Sequence, residues 1–194
     1  MAVAGVLLSG GLSRRMGADK ATLRRPDGAT WAEAVAAALA ACTGPTVEVG
    51  PGRSGLPAVA DTRPGEGPLS ALADAAAALA RRGHTGPAVL LACDMPFVDA
   101  DLVRWLADHP APGSVVPVVA GRSQPLCARW SAEALASCAA LVASGHRSLR
   151  PLVDRPDTVL AGPEDWSASV AADHFRDFDT PEELSAAGLA LVTS

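Results

Sequence analysis

The 194-residue sequence predicts a single-domain, three-layer α/β/α fold built on a mostly parallel sheet. Three observations predict it. Short apolar runs such as "AVAGVLL" (2–8) and "PAVLLACDMP" (87–96) carry no polar face, as expected of strands covered on both sides. Alanine-rich segments with start and stop signals separate those runs at the spacing of crossover helices. No internal repeat, low-complexity tract or linker divides the chain.

The elements follow in order. "AVAGVLL" is the first strand, and a glycine-arginine loop follows it. Thr30 and Glu33 make a capping box, so a helix is expected from there to about Cys42. "TVEV" (46–49) alternates as a second strand, with "PAVA" (57–60) a short third. In "GPLSALADAAAALARRG", Pro68 suits the first helical turn, Arg81 and Arg82 the last, and Gly83 the stop. The run ending at Cys93 is a further strand, and Asp99 can cap the helix "ADLVRWLADH". "SVVPVV" and "QPLCARW" read as two more strands. Ser131 opens a helix closed by Gly145, and "SLRPLV" a shorter one. "HFRDFDTPEEL" predicts a final strand through Phe175 and Phe178, then a helix capped by Thr180, Pro181 and Glu183 and ended at Gly188.

Composition bounds the function. The net charge of −5 argues against a surface that grips nucleic acid, while one local basic site for a small anion remains compatible. Cys42, Cys93, Cys127 and Cys138 show no zinc spacing and read as small hydrophobes in a reducing compartment. The opening apolar run lacks the layout of a signal peptide, and no run is long enough to span a membrane, so a cytoplasmic location is expected.

Ligands of open α/β sheets bind at the carboxyl ends of the strands. The sequence places three chemical features there. The first is "LSGGLSRRMGADK" (8–20), which departs from both the Walker and the G-x-G-x-x-G patterns. Its paired glycines, Ser13, Arg14, Arg15 and Lys20 could still surround a phosphate chain with amides and cations, or the glycines could simply turn the chain. The second is Asp94, either a turn carboxylate before Pro96 or a ligand for Mg²⁺ beside phosphate. The third is the pair Asp177 and Asp179, expected on one strand face as either an exposed acidic edge or a cation site. Asp61 either contacts the same ligand or caps a turn. Arg122, Gln124, Arg147, Ser148 and Arg150 add polar and basic character to the second half, and the four histidines share no spacing.

These residues resemble a family. "LSGGLSRRMGADKA" is similar to the signature of the nucleotidyltransferases that make molybdenum cofactor dinucleotides, the MobA-like guanylyltransferases. "GPLSAL", "CDMPFVDADLV", "QPLCARW" and "FRDFDTPEEL" continue the likeness over nearly the whole chain. The resemblance implies a Rossmann-like nucleotidyltransferase fold spanning 1–194, with an NTP-binding first half and an acceptor-binding second half. It implies GTP and molybdopterin as substrates, Mg²⁺ as cofactor, and molybdopterin guanine dinucleotide and pyrophosphate as products. A cofactor-delivery protein or a molybdoenzyme would be the macromolecular partner.

By position, Leu8, Ser9, Gly10 and Gly11 would line guanine and ribose, and Asp61 would contact the nucleotide. Arg15 and Lys20 would neutralise the triphosphate, and Asp94 would hold the metal. Gln124, Pro125, Arg147, Asp177 and Asp179 would face the pterin. Two departures stand out: Asp177-Phe178-Asp179 replaces Asn-x-Asn, and Gly50 replaces an asparagine that touches the nucleotide in some members. The competing readings are CTP or another phosphorylated acceptor on the same fold, and a non-catalytic nucleotide-binding protein.

Overall fold

A computed structural model of the protein describes residues 2–10, 20–178 and 183–184. The most apolar strands are the innermost. β1 (Ala4–Leu8) and β4 (Ala88–Ala92) are buried along their whole length and lie side by side in parallel, Leu7 opposite Leu91. β2 (Thr46–Val49) pairs in parallel with the other edge of β1, and the short β3 (Ala58–Val59) with β2. Past β4 the direction reverses. β7 (Cys127–Trp130) runs antiparallel to both β4 and β5 (Val115–Val119). β6 (Arg122–Ser123) makes a hairpin with β5, and β8 (Val159–Ala161) pairs with β5 in parallel. The order is β3-β2-β1-β4-β7-β5-β6, with β8 beside β5.

Local chemistry starts the helices where the sequence predicts. At α1 (Trp31–Cys42) the Glu33 amide donates to Thr30 Oγ1 at 3.2 Å, and the Thr30 amide to the Glu33 carboxylate at 2.7 Å. α2 (Pro68–Arg81) carries Pro68 in its first turn. Asp99 caps α3 (Ala100–Asp108) by accepting the Leu102 amide at 3.0 Å, and Ser131 caps α4 (Ala132–Ala143). A single turn, α5 (Arg150–Val153), follows.

Alternation along the strands then sorts the core into two layers. Leu7, Val89, Leu91 and Cys127 pack with residues of α1 and α3. Val6, Leu8, Leu90 and Trp130 pack with those of α2 and α4. Each large side chain removed from water contributes about 1.5–3 kcal/mol, so these layers dominate the stability. Burial also pushes the Cys138 thiol up to about 12, in keeping with its role as a small core residue. Among the described residues no helix is long and apolar enough to cross a membrane.

The predicted final strand is not formed. Ala172–Phe175 make a 3₁₀ turn, and residues 176–178 follow without regular structure. Phe175 and Phe178 are both buried, in separate apolar clusters. A spacing of three would send them to opposite faces of a strand, whereas a turn can bury both. Asp177 therefore lies on no strand face; Asp179 lies outside the described residues together with Thr180 and Pro181. Glu183 and Leu184 are helical. Among the described residues the last strand is β8, in a stretch without clear alternation, and the hairpin strand β6 is equally unmarked.

Candidate active site

The chain leaves β1 towards β2 and β3 through α1, then returns through α2 to β4 on the other side of β1. This change of direction between β1 and β4 is a topological switch point, where α/β sheets open a crevice at their carboxyl ends. Hydrogen bonds extend the ladder there. Gly50 donates its amide to Val59 O at 3.2 Å, Ser9 to Val49 O at 3.1 Å, Cys93 to Leu8 O at 3.0 Å and Ala92 to Leu126 O at 3.0 Å. Asp61, Gly50, Ser9 with Gly10 and Asp94 thus follow the exits of β3, β2, β1 and β4, and the segment 124–126, which leads into the antiparallel β7, lies at the same end of the sheet, with neighbouring strands about 4.8 Å apart.

Lys20 and Asp94 meet at this edge. Lys20 opens a 3₁₀ turn (Lys20–Thr22) whose Ala21 is buried in the α1 layer. Its Nζ lies 3.3 Å from Asp94 Oδ2, across 74 positions of sequence, with 11% and 25% of the two side chains exposed. Asp94 Oδ1 is buried without a hydrogen-bond partner among the described residues. Burial pushes the Asp94 carboxyl above its ordinary value; the Lys20 charge and hydrogen bond pull it down, and the Asp177 charge pushes it up again. The net shift is upward.

Asp177 reaches the site because its neighbours are pinned. Phe175 and Phe178 are buried on either side of it, and Phe178 packs against Trp31 and Phe97 at ring distances of 6.1 and 5.7 Å. Arg176 lies over Phe178 and Phe97, 5.1 and 5.8 Å from the ring centres. His174, unassigned from sequence, accepts the Ala171 amide at Nδ1, so Nε2 carries the proton towards Asp99 Oδ2 at 3.2 Å. The cap of α3 is thereby tied to the segment that carries Asp177.

Among the described residues no group of three or more His, Cys, Asp or Glu side chains forms a metal site. Asp94 with Asp177 nevertheless fits Mg²⁺, which takes one or two carboxylates and completes its shell with phosphate oxygens and water. The unpartnered oxygen of Asp94 is the observation behind that fit, because a buried polar atom left alone is costly.

The other sequence-predicted residues divide by position. The Leu8 side chain is buried in the α2 layer, so only its main chain can serve the site. A Cβ on Gly10 would lie 3.8 Å from Asp61 Oδ2, while Asp61 Oδ1 accepts the Arg63 amide at 3.0 Å. Asp61 thus faces the β1 exit and also closes its own turn. Gln124 lies beside the end of β4, its amide donating to Pro117 O at 2.8 Å. Arg147 is on the α2 side. Its guanidinium pairs with Glu66 and its carbonyl accepts the Leu69 amide at 3.2 Å, which fastens it to the start of α2. Gly11 and Arg15 lie outside the described residues.

Gly50 explains why no asparagine can stand there in this chain. Its φ is +144°, and a Cβ would come within 2.4 Å of Ser9 Oγ and 2.7 Å of Gly10 N. Gly50→Ala is therefore expected to cost about 1–3 kcal/mol, read as a drop of several degrees in thermal unfolding.

Sequence reasoning missed Glu48. It stands in β2, whose side chains are covered on both faces, and is fully buried. Alternation in "TVEV" suggested a polar face, yet a central parallel strand has none. A carboxylate in such a strand must find hydrogen-bond donors, and that was the available signal.

A sheet switch point furnished with a lysine, a half-buried carboxylate and glycine-lined strand exits defines an α/β protein that handles phosphorylated ligands. The chain belongs to the MobA-like NTP transferase domain family, whose pattern matches residues 5–159, and it is a nucleotidyltransferase. It is 32% identical over 201 residues to a probable molybdenum cofactor guanylyltransferase of Chloroflexus aggregans, covering 95% of this chain and 92% of that one. A Mycobacterium avium protein of the same description is 38% identical over 167 residues, covering 81% and 83%. The molybdopterin-guanine dinucleotide biosynthesis protein A of Archaeoglobus fulgidus has the same fold, with a TM-score of 0.75 at 22% identity over 95% of this chain and 96% of that one.

Proposed function

We propose that the protein transfers GMP from GTP to the terminal phosphate of molybdopterin, with Mg²⁺, forming molybdopterin guanine dinucleotide and pyrophosphate. The observation that carries this reading is the Lys20–Asp94 contact at the switch point. The descriptions of relatives 32% and 38% identical supply the acceptor and the base.

In this reaction a phosphate oxygen of the pterin forms a bond to the α-phosphorus of GTP. The bond from that phosphorus to the bridging oxygen breaks, and pyrophosphate leaves with the electron pair. Such transfer needs in-line positioning and neutralised charge more than covalent help. The nucleophile is already ionised at neutral pH, so the chain needs no general base.

Asp94, with Asp177 beside it, would hold the divalent ion, which when bound neutralises charge on the migrating and leaving phosphates. Lys20, with Arg15 by family resemblance, binds the triphosphate and offsets the charge left on pyrophosphate. Ser9, Gly10 and Gly11 and the main chain of Leu8 form the nucleoside wall, closed by Asp61. The second half takes the acceptor through Gln124, Arg147, Asp177 and Asp179. The reading includes a cytoplasmic location, supported by free thiols at all four cysteines, and a cofactor-delivery protein or molybdoenzyme as partner.

Mass analysis of the product formed from molybdopterin, Mg²⁺ and either GTP or CTP tests it. A guanine dinucleotide with one pyrophosphate per turnover is expected; a cytidine product, or none, overturns the proposal. Lys20→Met should lower turnover by about 10²–10³-fold in a pyrophosphate-release assay. It removes the leaving-group cation and leaves the Asp94 carboxyl without the charge that lowers its pKa.

A further inference from the structure

Glu48 has no part in that chemistry, yet it is a buried carboxylate that accepts four hydrogen bonds at the carboxyl end of β2. Its Oε1 accepts the Ser9 hydroxyl and the Arg53 amide, the latter at 2.8 Å. Its Oε2 accepts the Ser54 amide at 2.9 Å and the Ser54 hydroxyl. Four donors use the four in-plane lone pairs of a carboxylate. Burial pushes the Glu48 carboxyl up, but the hydroxyls of Ser54 and Ser9 and the two amides outweigh it, so the group lies below its ordinary value and is ionised at neutral pH.

The donors come from two places. Ser9 is the exit of β1, the first residue of the glycine loop. Arg53 and Ser54 belong to the loop between β2 and β3. The loop turns at Gly50 and Gly52, whose φ values are +144° and +75°. With the Ser9 hydroxyl held by Glu48, the space where a Cβ of residue 50 would sit is already filled. What then borders Gly10 and Asp61 at the strand exits is the bare main chain of Gly50, whose Cα lies 3.7 Å from the position of a Cβ on Gly10.

We propose that Glu48 is a positioning residue for the nucleoside end of the site: it locks the β1 exit and the β2–β3 loop together, so that the backbone of Gly10 and Gly50 forms a rigid wall for base and ribose. The inference rests on the nucleotidyl-transfer reading above and assigns a part of the site that binds the nucleoside rather than the phosphates. Substitution should therefore separate the two. A glutamine at this position can accept from only one of the two fixed amides, because its NH₂ faces the other as a second donor.

The test measures GTP and pyrophosphate affinity, together with kcat and KM for GTP, in Glu48→Gln and Ser54→Ala, the second removing a hydroxyl donor to Glu48 from a residue outside the nucleoside wall. Each variant is expected to raise KM and weaken GTP binding about tenfold or more, the loss expected from one or two misplaced contacts, with kcat within about threefold and pyrophosphate affinity unchanged. Ser54→Ala leaves the Ser9 hydroxyl and the Arg53 and Ser54 amides on Glu48 and gives the same readout should Glu48→Gln fail to fold. Equal loss of GTP and pyrophosphate affinity, or unchanged GTP affinity in a folded variant, overturns the role of Glu48. A parent protein that binds no nucleoside triphosphate overturns the nucleotidyl-transfer reading itself, and this inference with it.

Discussion

Asp94→Asn is expected to lower nucleotidyl transfer by about three orders of magnitude or more, while the nucleotide-free protein melts no lower than the parent. The first effect follows from removing the carboxylate proposed to hold the metal, a contribution worth several kcal/mol in the transition state. The second follows from the direction of its titration. Burial raises the Asp94 carboxyl above its ordinary value even though Lys20 lies beside it, so the folded protein binds this proton more tightly than the unfolded chain does. Such a group costs no stability below the unfolded-state value. As pH rises past that value the unfolded chain ionises first, and the cost grows until pH exceeds the raised native value.

Asparagine mimics the protonated side chain and escapes that cost. Parent and variant should therefore melt alike in acid and diverge towards neutral pH, with the variant the more stable. Thermal unfolding across the acid-to-neutral range, beside a pyrophosphate-release assay, reads both effects. A variant that melts lower at neutral pH would show that Asp94 serves stability rather than function. In the pH range where the Asp94 carboxyl is partly protonated, binding of the divalent ion should release protons, and its affinity should fall as pH is lowered.

The second large effect is expected on stability alone. Arg129 lies in β7, 5% exposed, and its guanidinium donates to the carbonyls of His109 at 2.6 Å and Gly113 at 2.9 Å, and to that of Ala111. These carbonyls belong to the connection between α3 and β5. Arg129 thus closes that connection from inside the sheet, although burial lowers its pKa and its Nε has no partner among the described residues.

Arg129→Met keeps most of the volume and removes every donor. The three closest carbonyls then lose their partner at about 1 kcal/mol or more each, and Ala107 O loses a longer bond of 3.5 Å, so a loss of about 3–5 kcal/mol is expected, or a Tm lower by about 10 °C. Turnover well below the new Tm should match the parent, because the connection lies at the opposite end of the strands from Asp94. Unfolding in urea and a rate measured at low temperature check the two halves of this expectation.

The legible parts of the fold were those written in local chemistry. The Thr30–Glu33 box, the Asp99 and Ser131 caps and Pro68 in the first turn of its helix all act within one turn, and each element starts where its signal stands. The unread parts depend on distant partners. β8 exists because β5 offers it a free edge, and the segment at Phe175–Phe178 turns because two separate apolar clusters each take one ring.

The site shows the same division. Strand-end placement predicts Lys20 and Asp94 at one site, and the two meet at 3.3 Å. Glu48 and Arg129 could not be assigned from sequence, because their partners are amides, hydroxyls and carbonyls of remote loops, which no side-chain pattern announces. Arg147 illustrates the limit from the other direction: its basic character was visible, but the Glu66 that holds it against α2 was not.

A nucleoside polyphosphate and a divalent ion are proposed to share the site where Lys20 meets Asp94. The rise in Tm produced by GTP with and without Mg²⁺, measured in the parent and in Asp94→Asn, tests it most directly. A metal-dependent increment in the parent that disappears in the variant is the predicted result; the same increment in both proteins would contradict it.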